Sequence, residues 1–276
     1  MRDYIVAIVL GVTDGITELI PVSASAHLRI AEILLRVRLS GAFLKLQLIV
    51  VHLGTVTGVL VLYARQLRAE ARMPESSTRS GQSLVAHSPL TIGLAFLVAS
   101  LCRDSLDHLT SRAGTGLSVL AASLIAGGGI LWGIDVFAGR KAVRKRATAA
   151  GAVWVGVCES LSGMFPGLSR SLLTIVAGEI AGMARQSAVE FSILLFVPGM
   201  LTELISEMRS ISRSGTVLSV GGAHGLAVLA MGFCTSAAGA YVSANWMLKR
   251  SERHSLASLG LYRICLGFVL IVWLIR

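Results

Sequence analysis

Apolar residues run through this chain in long stretches. Those with few charges, 42–63, 87–102, 116–137, 187–206, 216–242 and 256–275, each come near or past the roughly 20 residues a helix needs to cross a bilayer. Their Gly, Ala and Leu runs lack the strict alternation of barrel strands, so the pattern predicts helices. Two further stretches are apolar but interrupted. Residues 4–35 carry Asp14, Glu18, Pro21, Ser23, Ser25, His27, Arg29 and Glu32, and residues 149–185 carry Glu159, Pro166, Gly167, Ser169, Arg170, Ser171, Thr174 and Glu179. Irregular backbone at membrane depth survives only where protein or water satisfies it, so both stretches are expected to be broken helices turned into the interior. The expected fold class is an all-α integral membrane protein, with about six transmembrane helices plus two re-entrant broken-helix hairpins.

Composition supports this reading. Hydrophobic residues make up 54% of the 276, charged residues 14%, and the mean hydropathy is +0.74. That is more apolar surface than one soluble core uses. A net charge of +10 would suggest nucleic acid, but the basic residues gather in short loops: Arg65, Arg68, Arg72 and Arg79; Arg140, Lys141, Arg144, Lys145 and Arg146; Lys249, Arg250 and Arg253. Such clustering is a topology signal. Loops 64–86 and 138–148 are expected on the cytoplasmic side of a bacterial inner (plasma) membrane, the less basic loop 103–115 on the outer side, and no nucleic acid is expected. Cys102, Cys158, Cys234 and Cys265 are scattered without a CxxC pair and read as packing residues. The short apolar start meets Asp14 and Glu18 with no small-residue cleavage site before them, so no cleaved signal peptide is expected.

The interrupted stretches resemble each other. Gly11-Val12-Thr13-Asp14 through Pro21 aligns with Gly156-Val157-Cys158-Glu159 through Pro166, at a constant offset of 145 residues. The identities are few and the composition is biased toward Gly, Ala and Val. Counting crossings places the copies in opposite orientations, with 4–137 and 149–275 as the halves of an inverted repeat within one membrane domain. Inverted repeats with broken helices near the midplane recur where membrane proteins handle polar ligands.

Asp14 and Glu18, four residues apart, share one helix face. Two carboxylates in apolar surroundings need a bridging cation, a shared proton or an Arg partner. Oxygen-only ligands suit Mg²⁺ or Ca²⁺, so the pair is the candidate metal site. Ser23 or Ser25 can cap a half-helix after Pro21, whose free N–H groups favour an anion. His27 follows in the first turn, a candidate base, acid or phosphate ligand. In the second copy Arg170 offers a bidentate fork for phosphate, with the hydroxyls of Ser169, Ser171 and Thr174 beside it. Glu159, eleven residues earlier, is a candidate partner for Arg170 or a third acid of the cavity.

GVTDGITELIPVSASAH, PGLSRSLLT and EFSILLFVP at 190–198 resemble the signatures of the undecaprenyl-pyrophosphate phosphatase family, known from bacitracin resistance. The likeness covers nearly the whole chain. It implies that Glu18, His27, Ser169, Arg170, Ser171 and Thr174 stand on functional positions, with Asp14 in place of the family's first Glu. One departure stands out. Ala24 occupies the second Ser of the family's Pro-Val-Ser-Ser turn, a proposed catalytic position. Either the chemistry needs no Ser nucleophile, or the chain is divergent, with altered or lost activity.

The resulting expectation is hydrolysis of a polyprenyl diphosphate to the monophosphate and inorganic phosphate, which recycles the lipid carrier for cell-wall synthesis. The partners expected are the prenyl diphosphate lipid and membrane lipids, and a homodimer is compatible with the sequence. The rivals are a flippase for prenyl-phosphate lipids and an enzyme acting on another prenyl diphosphate in terpenoid metabolism.

Overall fold

The structure, a computed structural model, describes residues 1–37, 41–72, 87–110, 116–138, 146–165, 167–213 and 222–275. Arg79, Arg140, Lys141, Arg144, Lys145, Pro166, the end of loop 103–115 and the side chain of Arg253 lie outside the described residues. The described chain is helical, without strands. Its elements are α1 (Arg2–Thr17), α2 (Ala24–Leu35), α3 (Ala42–Glu70), α4 (Pro89–Thr110), α5 (Leu117–Gly133, continued by a π turn over Ile134–Ala138), α6 (Ala149–Ser160), α7 (Arg170–Ile180), α8 (Arg185–Arg213), α9 (Gly222–Arg253) and α10 (Ala257–Ile275).

Five helices, α3, α5, α8, α9 and α10, are long and apolar enough to cross a membrane. The sixth expected span, 87–102, falls on α4. Its apolar stretch Pro89–Arg103 lies within a 22-residue helix that runs on to Thr110. Arg103 in this helix pairs with Glu203 of α8.

Both interrupted stretches are broken. α2 and α7 start afresh under Ser23 and Ser169, whose hydroxyls accept from the amides of Ala26 and Leu172. Each hairpin returns to the side it came from. The Arg2 guanidinium at the start of α1 donates to the carbonyls of Leu35 and Arg36 at the end of α2, at 3.1 and 3.3 Å. Gly151, at the start of α6, lies against Ala181 just beyond α7.

Helix α9 shows where the hairpins open. At its start His224 contacts Asp3 (3.1 Å) and Tyr4 (3.3 Å), at the mouth of the first hairpin. Near its end Glu252 accepts from Gln186, just after the second hairpin. The hairpins therefore open at opposite ends of α9. At the second mouth Arg185 binds Glu179 and Asp135, and Asp135 accepts from the Ala257 amide, tying together the ends of α5, α7, α8 and α10. His87 sits there too. Its Nε2 donates to the Ser187 carbonyl (2.8 Å), while Nδ1 accepts the Ala147 N–H (3.3 Å). Burial holds this imidazole below its ordinary pKa, against the opposing effect of the Ser187 bond.

Lipid is as apolar as leucine, so helix association in a membrane depends on close packing rather than on exclusion of water. The two glycines matched by the offset both serve that packing. A side chain on Gly11 would strike the Gly232 carbonyl of α9, and one on Gly156 the Ala95 carbonyl of α4. A central apolar cluster including Leu19, Val59, Leu172, Ile175, Ile193 and Phe196 then packs α3, α7 and α8 around the inner turns.

Candidate active site

The first hairpin supplies acids. Helix α1 ends at Thr17, but Glu18 keeps helical dihedrals and its N–H bonds to the Asp14 carbonyl, so the two carboxylates share a face. Their surroundings differ. Asp14 is fully buried; Oδ2 accepts from Thr55 (2.7 Å) and Oδ1 stands 3.2 Å from His52 Nε2, both on α3. Glu18 is half-buried and makes no side-chain hydrogen bond or ion pair among the described residues. It lines a narrow cleft with Arg170, Ser171, Ser192 and Phe196.

Beyond Pro21 the backbone turns sharply. Ser23 is buried with φ at 79°, outside the range most L-residues adopt, and its hydroxyl caps α2 while lying 3.1 Å from Ser25 Oγ. Ser25 is exposed. Ala24, the first residue of α2, is buried. His27 turns toward α10: Nδ1 is 2.8 Å from the Ser23 carbonyl and Nε2 is 2.7 Å from the Tyr262 hydroxyl.

The second hairpin supplies cations and hydroxyls. Gly167 takes the left-handed conformation, φ 102°, and Ser169 then caps α7 with an ordinary φ of −71°. Arg170 reaches Glu203 with Nη2 (2.6 Å) and lies over the Phe196 ring at 5.8 Å. Its Nε and Nη1 are buried without a hydrogen-bond partner among the described residues. The direct carboxylate partner of Arg170 is thus Glu203, which Arg103 shares. Glu159 is buried behind them, 3.9 Å from Arg103. A Cβ on Gly199 would stand 3.1 Å from Glu159 and 3.2 Å from Arg170 Nη1, so both groups crowd the same bare backbone. Thr174 turns toward α8, 2.6 Å from Ser192 Oγ.

The two turns meet. Ser171 donates to the Ile20 carbonyl of the first hairpin (3.3 Å). Arg263 of α10, fully buried, donates to Pro21 O (3.0 Å), Gly167 O (2.7 Å) and Ser169 Oγ (3.2 Å), one side chain bridging both hairpins. No carboxylate pairs with Arg263 among the described residues. The N-termini of α2 and α7, with their free amides and positive dipole ends, begin at this junction beside Arg170, an arrangement that favours an anion.

The structure therefore brings Glu18, Arg170 and Ser171 to one cleft, encloses Asp14 and Thr174 behind it, and places Ser23, His27 and Ser169 around Arg263. Sequence reasoning missed Arg263, Tyr262, Glu203, Arg103 and His52. Of these Arg263 had a clear signal, an arginine in the middle of the 256–275 apolar run. Among the described residues no three His, Cys, Asp or Glu side chains converge as a metal cage. Glu18, open to the cleft, fits a Mg²⁺-type site, in which one or two carboxylates join substrate phosphates and water.

The family model described as bacitracin resistance protein BacA matches residues 7–269. Among curated relatives the chain is similar to the undecaprenyl-diphosphatase of Koribacter versatilis (strain Ellin345), 33% identical with both chains covered in full. It is similar to that of Rhizobium etli (strain CIAT 652), 32% identical over 98% of this chain and 96% of the relative. That of Thermus thermophilus is 31% identical over 98% and 97%.

Proposed function

Because this chain belongs to the bacitracin resistance protein BacA family, we propose that it removes the terminal phosphate of undecaprenyl diphosphate within the membrane. The products are undecaprenyl phosphate and inorganic phosphate, and the lipid carrier returns to cell-wall synthesis. The observation that carries this reading is the junction itself: two half-helix N-termini beside an arginine whose Nε and Nη1 are buried and, among the described residues, unpartnered.

Arg170 binds phosphate oxygens through its unpartnered Nε–H and Nη1–H groups, while Nη2 holds Glu203. The Arg170 and Ser171 amides at the start of α7 bind further oxygens. Glu18 would hold Mg²⁺ or Ca²⁺, and Asp14, fixed by His52 and Thr55, would add negative charge behind it. When bound, the cation neutralises charge on the diphosphate oxygens. The remaining chemistry is positioning and proton transfer. His27 takes the proton of a water as its oxygen bonds to the terminal phosphorus, and the bridging P–O bond breaks with its electron pair on the departing lipid monophosphate. Ala24 offers no hydroxyl and Ser23 is occupied as a cap, so water is the attacking group in this reading.

The same reading takes 4–137 and 149–275 as inverted halves of one bacterial inner-membrane domain. The hairpins opening at opposite ends of α9 and the matched Gly11 and Gly156 contacts support it. Both sides of the site come from one copy of the chain. The lipid tail runs between helices into the bilayer, and the first hairpin opens outward.

The test is phosphate release by purified protein in detergent, on prenyl diphosphates of short and long chain, with and without chelator. Release that stops in chelator and returns with Mg²⁺ or Ca²⁺ is expected. Absence of release would favour a lipid carrier, and full activity in excess chelator would remove the cation.

A further inference from the structure

His27 is held at both ring nitrogens. A carbonyl oxygen only accepts, so the 2.8 Å contact with Ser23 places the proton on Nδ1. In the neutral ring Nε2 is then an acceptor, and the Tyr262 hydroxyl, 2.7 Å away, is its donor. The phenol also lies over the imidazole, ring centroids 5.8 Å apart and planes inclined by 15°. Tyr262 thus fixes the plane of the ring as well as its tautomer.

Its own position is set by its neighbour. Arg263 is fully buried and bonded to both turns, so the helix that carries the phenol is locked to the site. The other face of Tyr262 is open, with 45% of its surface exposed, and the hydroxyl can move aside without disturbing the core. A structural tyrosine would need only the stacking; the aligned hydroxyl is what points to the reaction.

We propose that Tyr262 is a positioning residue of the phosphatase reaction. Its hydroxyl holds His27 Nε2 unprotonated and aligned until the attacking water takes over that contact. This rests on His27 as the proton acceptor. The water proton passes to Nε2, the new bond forms to the terminal phosphorus, the bridging bond breaks toward the lipid monophosphate, and Tyr262 keeps its own proton throughout.

Tyr262→Phe keeps the stacked ring and removes the hydroxyl. The expected result is a kcat about tenfold lower, the worth of one well-placed hydrogen bond, with KM little changed and the acid limb of the pH–rate profile displaced. A second measurement does not depend on activity. In full-length protein with ¹⁵N-labelled histidine, His27 of the wild type should show a protonated Nδ1 and a hydrogen-bonded, unprotonated Nε2. In Tyr262→Phe the Nε2 resonance should lose its hydrogen-bond shift and the second tautomer should appear. Unchanged resonances, or altered resonances with unchanged kcat and pH profile, would overturn the proposal. If the wild type releases no phosphate, the phosphatase reading fails separately, and the resonances alone decide whether Tyr262 governs the ring.

Discussion

The two hairpins start their second helices under the same serine cap but absorb the sharp turn differently. In the second, Gly167 takes the left-handed conformation at little cost, and the cap itself is relaxed. In the first there is no glycine, and Ser23, the capping residue, is left-handed itself. Such a conformation costs on the order of 1–3 kcal/mol and persists only where neighbours over-determine it. Those neighbours are visible: Ser171 on the Ile20 carbonyl, Arg263 on the Pro21 carbonyl, and the Val22 amide on Ile20. The anion-binding turn is built from relaxed backbone, while the turn that carries the acids and His27 is held in shape by the second hairpin and α10.

The largest effect is expected at Arg170. Arg170→Ala should lower kcat/KM for phosphate release by about 10³-fold, the scale of a lost arginine clamp. Arg170→Lys should recover only part of it, because an ammonium lacks the bidentate edge. Full recovery with lysine would make Arg170 a simple point charge.

Next comes Arg263→Met, which leaves the Pro21 and Gly167 carbonyls without their donor. A loss of about 3 kcal/mol is expected from thermal or denaturant unfolding in detergent. If the first turn is the strained one, amide exchange over residues 20–23 should rise more than over 167–169. Equal increases would mean that the turns are equally dependent on α10.

Exchanging the glycine logic should give effects of opposite sign. Gly167→Ala forces a left-handed alanine whose Cβ would lie 2.9 Å from the Leu120 carbonyl, and it should lower stability by about 1–3 kcal/mol. Ser23→Gly relieves the strain and loses a cap worth only a few tenths of a kcal/mol relative to glycine, so it should be neutral or stabilising by about 1 kcal/mol. A strongly destabilised Ser23→Gly would show that the hydroxyl, not the neighbours, shapes the turn.

The smallest effect is expected at Ala24. With water as the attacking group, Ala24→Ser should change the rate of phosphate release little. An inactive wild type switched on by Ala24→Ser would instead assign the missing hydroxyl as nucleophile.

Hydropathy alone located five of the spans, because a lipid-facing helix must be apolar along its length. The prolines and polar residues at Pro21 and Gly167-Leu168-Ser169 marked the breaks. Asp14, Glu18 and Arg170 were legible because each is costly inside a membrane. Other features depend on tertiary approach, which no local pattern encodes. Glu203 and Arg103 sit at the ends of the apolar runs 187–206 and 87–102, where charges look interfacial, yet α4 and α8 bring them to Arg170. His27 follows the acids in sequence, but the turn at Ser23 rotates it toward Tyr262. The division of labour between Asp14 and Glu18 is set by His52 and Thr55 on α3, far away along the chain.

Arg263 lies C-terminal to every other element of the site, and this bears on how the protein is made. During synthesis both hairpins enter the membrane before α10 exists, and chains mature from the N-terminus onward. Until that helix inserts, the Pro21 and Gly167 carbonyls lack their bridging donor and His27 lacks Tyr262. The site is thus completed only once α10 has followed both hairpins out of the ribosome, and a chain without that helix holds two hairpins that Arg263 does not yet join.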